Sequence, residues 1–179
     1  MASNMDWVAQ ALPAVHRDAD QAEAYLTTDP RAAAFYARRS VERIVEFLYA
    51  TRGLDDPYST DLAGRINAPA FTTLAGRGIV DKLNFLRKAG NNAVHKDLAL
   101  DSRAALTILR ELFHVLVWTA FHHGPHPEAV PTKAQFDPAR APRQAAMPVE
   151  QLDAVIARLK AQDEANARLR EESEQQAAA

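Results

Sequence analysis

The chain has no cysteine among its 179 residues, so disulfide frameworks, thiolate zinc sites and cysteine nucleophiles are all excluded. Alternating runs of Val, Ile and Thr are also missing, which removes the main signal for strands. No P-loop, GxGxxG, HExxH or GxSxG pattern occurs, and there is no paired-carboxylate pattern of the kind that supports acid/base catalysis. The N-terminus lacks a basic segment followed by an apolar one, so it does not read as a secretory signal, and its MASN is open to reading as part of an expression leader. No apolar run approaches the roughly 20 residues that span a bilayer. These absences predict a cytoplasmic protein with no membrane contact. A net charge of −2 gives no global attraction to nucleic acid, so any such binding needs a local basic patch.

What is present is an ordinary globular composition, 47% hydrophobic and 25% charged, on a chain long enough for one domain and an appendage. Its periodicity is helical almost everywhere, which predicts an all-α fold: a compact bundle over 1–124, a Pro-rich linker over 125–148, and a charged helix or coiled-coil start over 149–179. The spacing predicts a first helix over Trp7 to Leu26, with Pro13 near its start or at a kink. A second opens at Asp29 and Pro30, because a carboxylate caps exposed N–H groups and proline has no N–H to leave unsatisfied. Ala37, Val41, Ile44, Val45 and Leu48 then form its buried stripe, and Gly53 stops it. Short pieces are expected at Thr60 to Ile66 and Ala70 to Leu74. A longer helix carries Ile79, Leu83, Leu86, Ala89 and Gly90 on one side. Asp101 or Ser102 caps a last core helix with Leu106, Leu109, Leu112, Phe113, Leu116, Val117 and Ala120 on a wide apolar face, ending near His122, His123 and Gly124. Prolines at 125, 127, 131, 138, 142 and 148 forbid a continuous helix beyond it. After them Val149, Leu152, Ile156 and Leu159 fit heptad steps.

Three groups of residues are candidates for chemistry. The first is FLRKAGNNAVHK, Phe85 to Lys96, in which Gly90, Asn91 and Asn92 are poor choices for a plain helix. Read structurally, Gly90 permits close approach of a neighbouring helix, the asparagines bond exposed backbone, and His95 fills a polar gap. Read functionally, His95 is a general acid/base, with Arg87 or Lys88 facing a phosphate. The second group is His114, His122, His123 and His126, whose spacing matches no zinc motif; they read as packing or solvated histidines near a helix C-terminus, where positive charge is favoured, and no metal site is expected. The third is the basic set Arg38, Arg39, Arg43, Lys82, Arg87 and Lys88, which reads as a solvated face or as weak contacts to nucleic-acid phosphates.

DPRAAAFYARRSVERIVEFLYA (Asp29 to Ala50), INAPAF (Ile66 to Phe71), LNFLRKAGNNAVH (Leu83 to His95), ALTILRELFHVLVWTAF (Ala105 to Phe121) and KAQFDP (Lys133 to Pro138) occur in an order that resembles the N-terminal helical domain of type I restriction enzyme R subunits and related DEAD/DEAH helicases. The resemblance covers nearly all of the chain. It implies a non-catalytic module in DNA restriction and phage defence, followed in the parent protein by a coiled coil, a nuclease and an ATP-dependent translocase. ATP and Mg²⁺ would serve those absent domains, and no cofactor is implied for this chain. Implied partners are other domains or subunits of a restriction complex, with DNA or RNA, or a second copy of the chain if it is a dimerising scaffold. The domain is also similar to the HEPN superfamily, whose active members are metal-independent RNases that use an arginine, a following polar residue and a histidine. Asn91 and His95 match the last two. Gly90 stands where the arginine belongs, and Arg87 could replace it only if the helix bends.

Overall fold

Asp29 and Pro30 set the start of a helix of 23 residues. In the computed structural model, which describes residues 3–93, 100–148 and 150–158 with 161, 165 and 168, Asp29 accepts a hydrogen bond from the Ala32 N–H at 3.0 Å and Pro30 is the first helical residue. This helix, α3 (Pro30–Arg52), ends at Gly53, whose φ of 60° and ψ of 40° are left-handed and suit a residue without Cβ. The expected stripe of Ala37, Val41, Ile44, Val45 and Leu48 is buried along it. Every described element is helical or irregular, with no strand among the described residues.

Upstream of α3 the expected single helix is two. Leu12, at φ −151° and ψ 65°, breaks it into α1 (Val8–Ala11) and α2 (Pro13–Ala24), because Pro13 cannot donate the backbone hydrogen bond that would join them. Downstream come the short α4 (Leu62–Asn67) and α5 (Pro69–Ala75), then α6 (Arg77–Ala93) and α7 (Ser102–His123). Asp101 caps α7 by accepting from the Ala104 N–H at 2.7 Å. α3 packs on α2, α6 and α7 and so forms the centre of the bundle. Leu109, Leu112 and Leu116 of α7 are fully buried, each contributing roughly 1.5–3 kcal/mol of transfer free energy. By length and composition alone α7 could cross a membrane, which corrects the expectation that no such run exists; here half of its most apolar window is buried within the bundle.

The Pro-rich segment does not hang between two bodies. It lies on the bundle as a strap: Val130, Phe136 and Met147 are buried, and Phe136 meets Phe113 of α7 edge-on at 6.2 Å. Its backbone is tied at its middle and in its second half, since Asp137 N–H donates to Asn4 Oδ1 (2.9 Å) and Gln144 N–H donates to the Ala24 carbonyl (3.2 Å). Asn4 in turn donates to the Asp137 carbonyl (2.8 Å) and to the buried Glu23 carboxylate (2.5 Å), so this residue is part of the fold. Residues 150–158 are helical, and Leu152 and Ile156, expected as heptad positions, are buried at 5% and 7% exposure against this same core. Val149, Leu159 and almost all of the tail beyond it lie outside the described residues.

Candidate functional site

The corner around Gly90 is a helix crossing. A Cβ on residue 90 would stand 2.3 Å from Arg38 Cβ, a distance that real Cβ atoms essentially never show, and a tight 3.0 Å from the Ala34 carbonyl oxygen. Glycine is therefore required by the approach of α3 to α6, the structural option among those raised by the sequence. The last residue of α6 is held from the same helix, with Arg31 Nε donating to the Ala93 carbonyl at 2.9 Å. Asn91 keeps its Oδ1 buried without a hydrogen-bond donor among the described residues, and Asn92 is exposed. His95 lies outside the described residues.

The basic set does not form one patch, and most of its members serve the fold. Arg38 is 3% exposed and its Nη1 stands 2.8 Å from Glu42 Oε1, one turn along α3. Arg39 and Arg43 reach across to α2, where the buried Asp18 carboxylate lies 3.3 Å and 3.9 Å from their Nε atoms; Arg43 also pairs with Glu46 at 3.0 Å. Lys82 forms an ion pair with Glu111 of α7. Arg87 and Lys88 line an open groove of about 420 Å³ beside α4 together with Asn67, Asn84, Phe85 and Asp81.

That groove has a defined polar arrangement. Asn84 Nδ2 donates to Asn67 Oδ1 at 2.9 Å, Asn67 Nδ2 returns toward Asn84 Oδ1 at 3.5 Å, and Arg87 Nε approaches the same oxygen at 3.4 Å. Phe85 is 41% exposed beside them. An exposed ring, two amides and two cations are groups that stack on bases, bond their edges and pair with phosphates, with the Asp81 carboxylate as the one opposing charge among the lining residues. Asn67 and Asn84 were not singled out in the sequence, because Asn67 comes from a different helix; Phe85 opens the first candidate stretch but was given no role there.

The histidines disperse. His126 Nδ1 pairs with Glu128 at 3.1 Å, while the His122 and His123 rings both lie on Trp118, with centroids 5.9 Å and 4.9 Å away. No three His, Asp or Glu side chains gather as a metal-binding set among the described residues. His123 corrects the expectation of a favoured positive charge at the helix end: burial first, then the nearby Arg52 and His122, hold its pKa below the ordinary value. His114 lies elsewhere, in a cleft between α7 and the strap.

The comparisons with known proteins agree in scope with this architecture. A family model described as a domain of unknown function, DUF4145, matches residues 20–147, from within α2 to the end of the strap, whereas no curated protein and no solved structure matches. With most of its length matched, the chain belongs to the DUF4145 family.

Proposed function

We propose that the chain is a non-catalytic helical module of a cytoplasmic type I restriction R subunit, making contacts to nucleic acid rather than cutting it. The observation that carries the non-catalytic part is the crossing at Gly90. The position where an RNase of the HEPN type would place its arginine is filled by Arg38 Cβ and the Ala34 carbonyl. A cation aimed at the phosphate commonly contributes several kcal/mol to such a reaction, and here no side chain fits at that place. The nucleic-acid part rests on the groove of Asn67, Asn84, Phe85, Arg87 and Lys88. The restriction setting rests on the order of the sequence segments alone, and in that setting ATP and Mg²⁺ belong to the parent's other domains. A dimerising coiled coil is the weaker reading, because Leu152 and Ile156 already pack within one chain.

The test is incubation of the purified chain with end-labelled single-stranded RNA and duplex DNA in metal-free buffer, read for cleavage and for retardation. Expected are no cleavage and a salt-sensitive retardation that weakens in Lys88→Ala and Phe85→Ala. RNA cleavage that disappears in His95→Ala would overturn the non-catalytic reading. Retardation unchanged in both groove variants would remove the groove from it.

A further inference from the structure

The strap forms a second cleft against α7. It measures about 500 Å³, within the range of small-molecule sites. Its floor is apolar, from Phe113, Val117 and Phe136, and its rim carries Arg110, His114 and Gln135. Arg110 and His114 are four residues apart on α7 and therefore project from one face of the helix, both exposed. The facing wall is built rather than incidental: Phe136 is buried edge-on against Phe113, and the backbone of the next residue is clamped to the Asn4 side-chain amide by two hydrogen bonds, of 2.8 Å and 2.9 Å.

The charges of this cleft are unevenly committed. Glu111, its one carboxylate, is engaged by Lys82 of α6. Arg110 pairs with no carboxylate among the described residues. A guanidinium left without a counter-charge, beside an imidazole and over an aromatic floor, matches the recognition pattern for a planar anionic head on an apolar body, because the guanidinium fork fits two anionic oxygens at once. We infer that this cleft binds a small organic anion, with its carboxylate or phosphate on Arg110 and His114 and its apolar part against Val117 and Phe136. This function is separate from the nucleic-acid groove beside α4, and either can fail without the other.

The probe is anilinonaphthalene sulfonate, an anionic aromatic fluorophore, titrated into the full chain and then displaced by phenyl phosphate, by benzoate and by the neutral benzyl alcohol. Expected is one saturable site per chain, displaced by at least one of the two anions and not by the alcohol; which anion is stronger separates phosphate from carboxylate ligands. Arg110→Ala should weaken probe affinity roughly tenfold, the size of one charge-assisted contact, and His114→Ala less. Both side chains are exposed, so the helical circular dichroism should not change. Arg103→Ala, exposed on the same helix outside the cleft, should leave affinity unchanged. The inference is overturned by the absence of saturable binding, by equal displacement with benzyl alcohol, or by full affinity in Arg110→Ala. Displacement by an acidic peptide and by neither small anion would equally overturn it, in favour of a protein partner.

Discussion

Gly78 and Gly90 lie on the same helix, and replacing each by alanine has opposite expected effects. At Gly90 the added Cβ would stand 2.3 Å from Arg38 Cβ, 2.9 Å from Arg38 Cδ and 3.0 Å from the Ala34 carbonyl. Carbon atoms pack at roughly 3.5–4.0 Å, so α3 and α6 would have to part by about 1 Å. Arg38 Cβ is fixed to its backbone, so no rotamer change relieves the contact. Alanine gains about 1 kcal/mol in helix propensity over glycine, while overpacking a buried crossing costs about 1–3 kcal/mol. With the contact this short the cost lies at the upper end, giving a net loss of about 1–2 kcal/mol. At Gly78 nothing lies within 4 Å of the added Cβ, so the propensity gain stands alone, about 0.5 kcal/mol this close to the helix start. Urea unfolding followed by circular dichroism should show the midpoint falling for Gly90→Ala by roughly 0.5–1 M and rising slightly for Gly78→Ala, at constant slope. A Gly90→Ala midpoint at or above the parent's, with Gly78→Ala behaving as expected, would refute the close crossing. It would also reopen position 90 to the arginine of an RNase.

Three further outcomes test the same structure. Asn4→Ala removes the amide shared by the buried Glu23 carboxylate and the Asp137 backbone, while the residue-4 N–H and the Ser3 hydroxyl still donate to Glu23, so it should cost roughly 1–2 kcal/mol and speed proteolysis within residues 125–148; unchanged cleavage there would mean that Asn4 does not hold the strap. His123 has a folded-state pKa held below the ordinary value, so the folded chain takes up its proton less readily than the unfolded one. Its contribution to stability is therefore complete above about pH 6.5 and lost as the pH falls below that, and His123→Gln should flatten the decline in urea midpoint between about pH 7 and 5; an identical decline in both proteins would assign it to other groups. Asp18→Ala removes the carboxylate shared by Arg39 and Arg43, which should lower stability by about 1 kcal/mol while strengthening DNA retardation with a steeper salt dependence; no change in the salt slope would keep those arginines out of any phosphate contact.

The parts of the fold that could be read from the sequence are those fixed by neighbours along the chain. Asp29 and Pro30, Gly53, the α3 stripe and the Asp101 cap each act within a turn or two of their own position, and each has its expected place. The basic set, by contrast, read as a solvated face, whereas Arg38 is buried beside Glu42 one turn along α3. What could not be read depends on partners far away in sequence. Val130, Phe136 and Met147 follow no period, because an irregular strap buries single residues wherever the surface beneath happens to be apolar. Six prolines gave that segment the composition of a linker, and the compensating hydrogen bonds come from Asn4 and Ala24. The Phe136 in KAQFDP, a lone aromatic among polar residues, was the one available sign that the strap returns to the core. Gly90 posed the right question in the sequence, but the atoms that answer it belong to α3.

The family match starts at residue 20, yet the strap it includes is clamped by Asn4, and α1 packs on α7. A chain beginning at residue 20 would lose Met5, Val8, Leu12 and Val15, all fully or almost fully buried, along with Asn4. Burial of four such side chains is worth roughly 6–12 kcal/mol by transfer arithmetic, which is comparable to the roughly 5–15 kcal/mol that holds a typical domain together. A segment spanning 20–158 should therefore show weak helical dichroism and no cooperative urea transition, whereas one spanning 3–158 should show strong helical dichroism and a cooperative transition. A cooperative transition in the shorter segment, with the midpoint of the longer, would mean that α1 and the N-terminal residues decorate the domain without completing it. The cleft at Arg110 would then survive without its clamp, because its wall would be held by Phe113 and Phe136 alone.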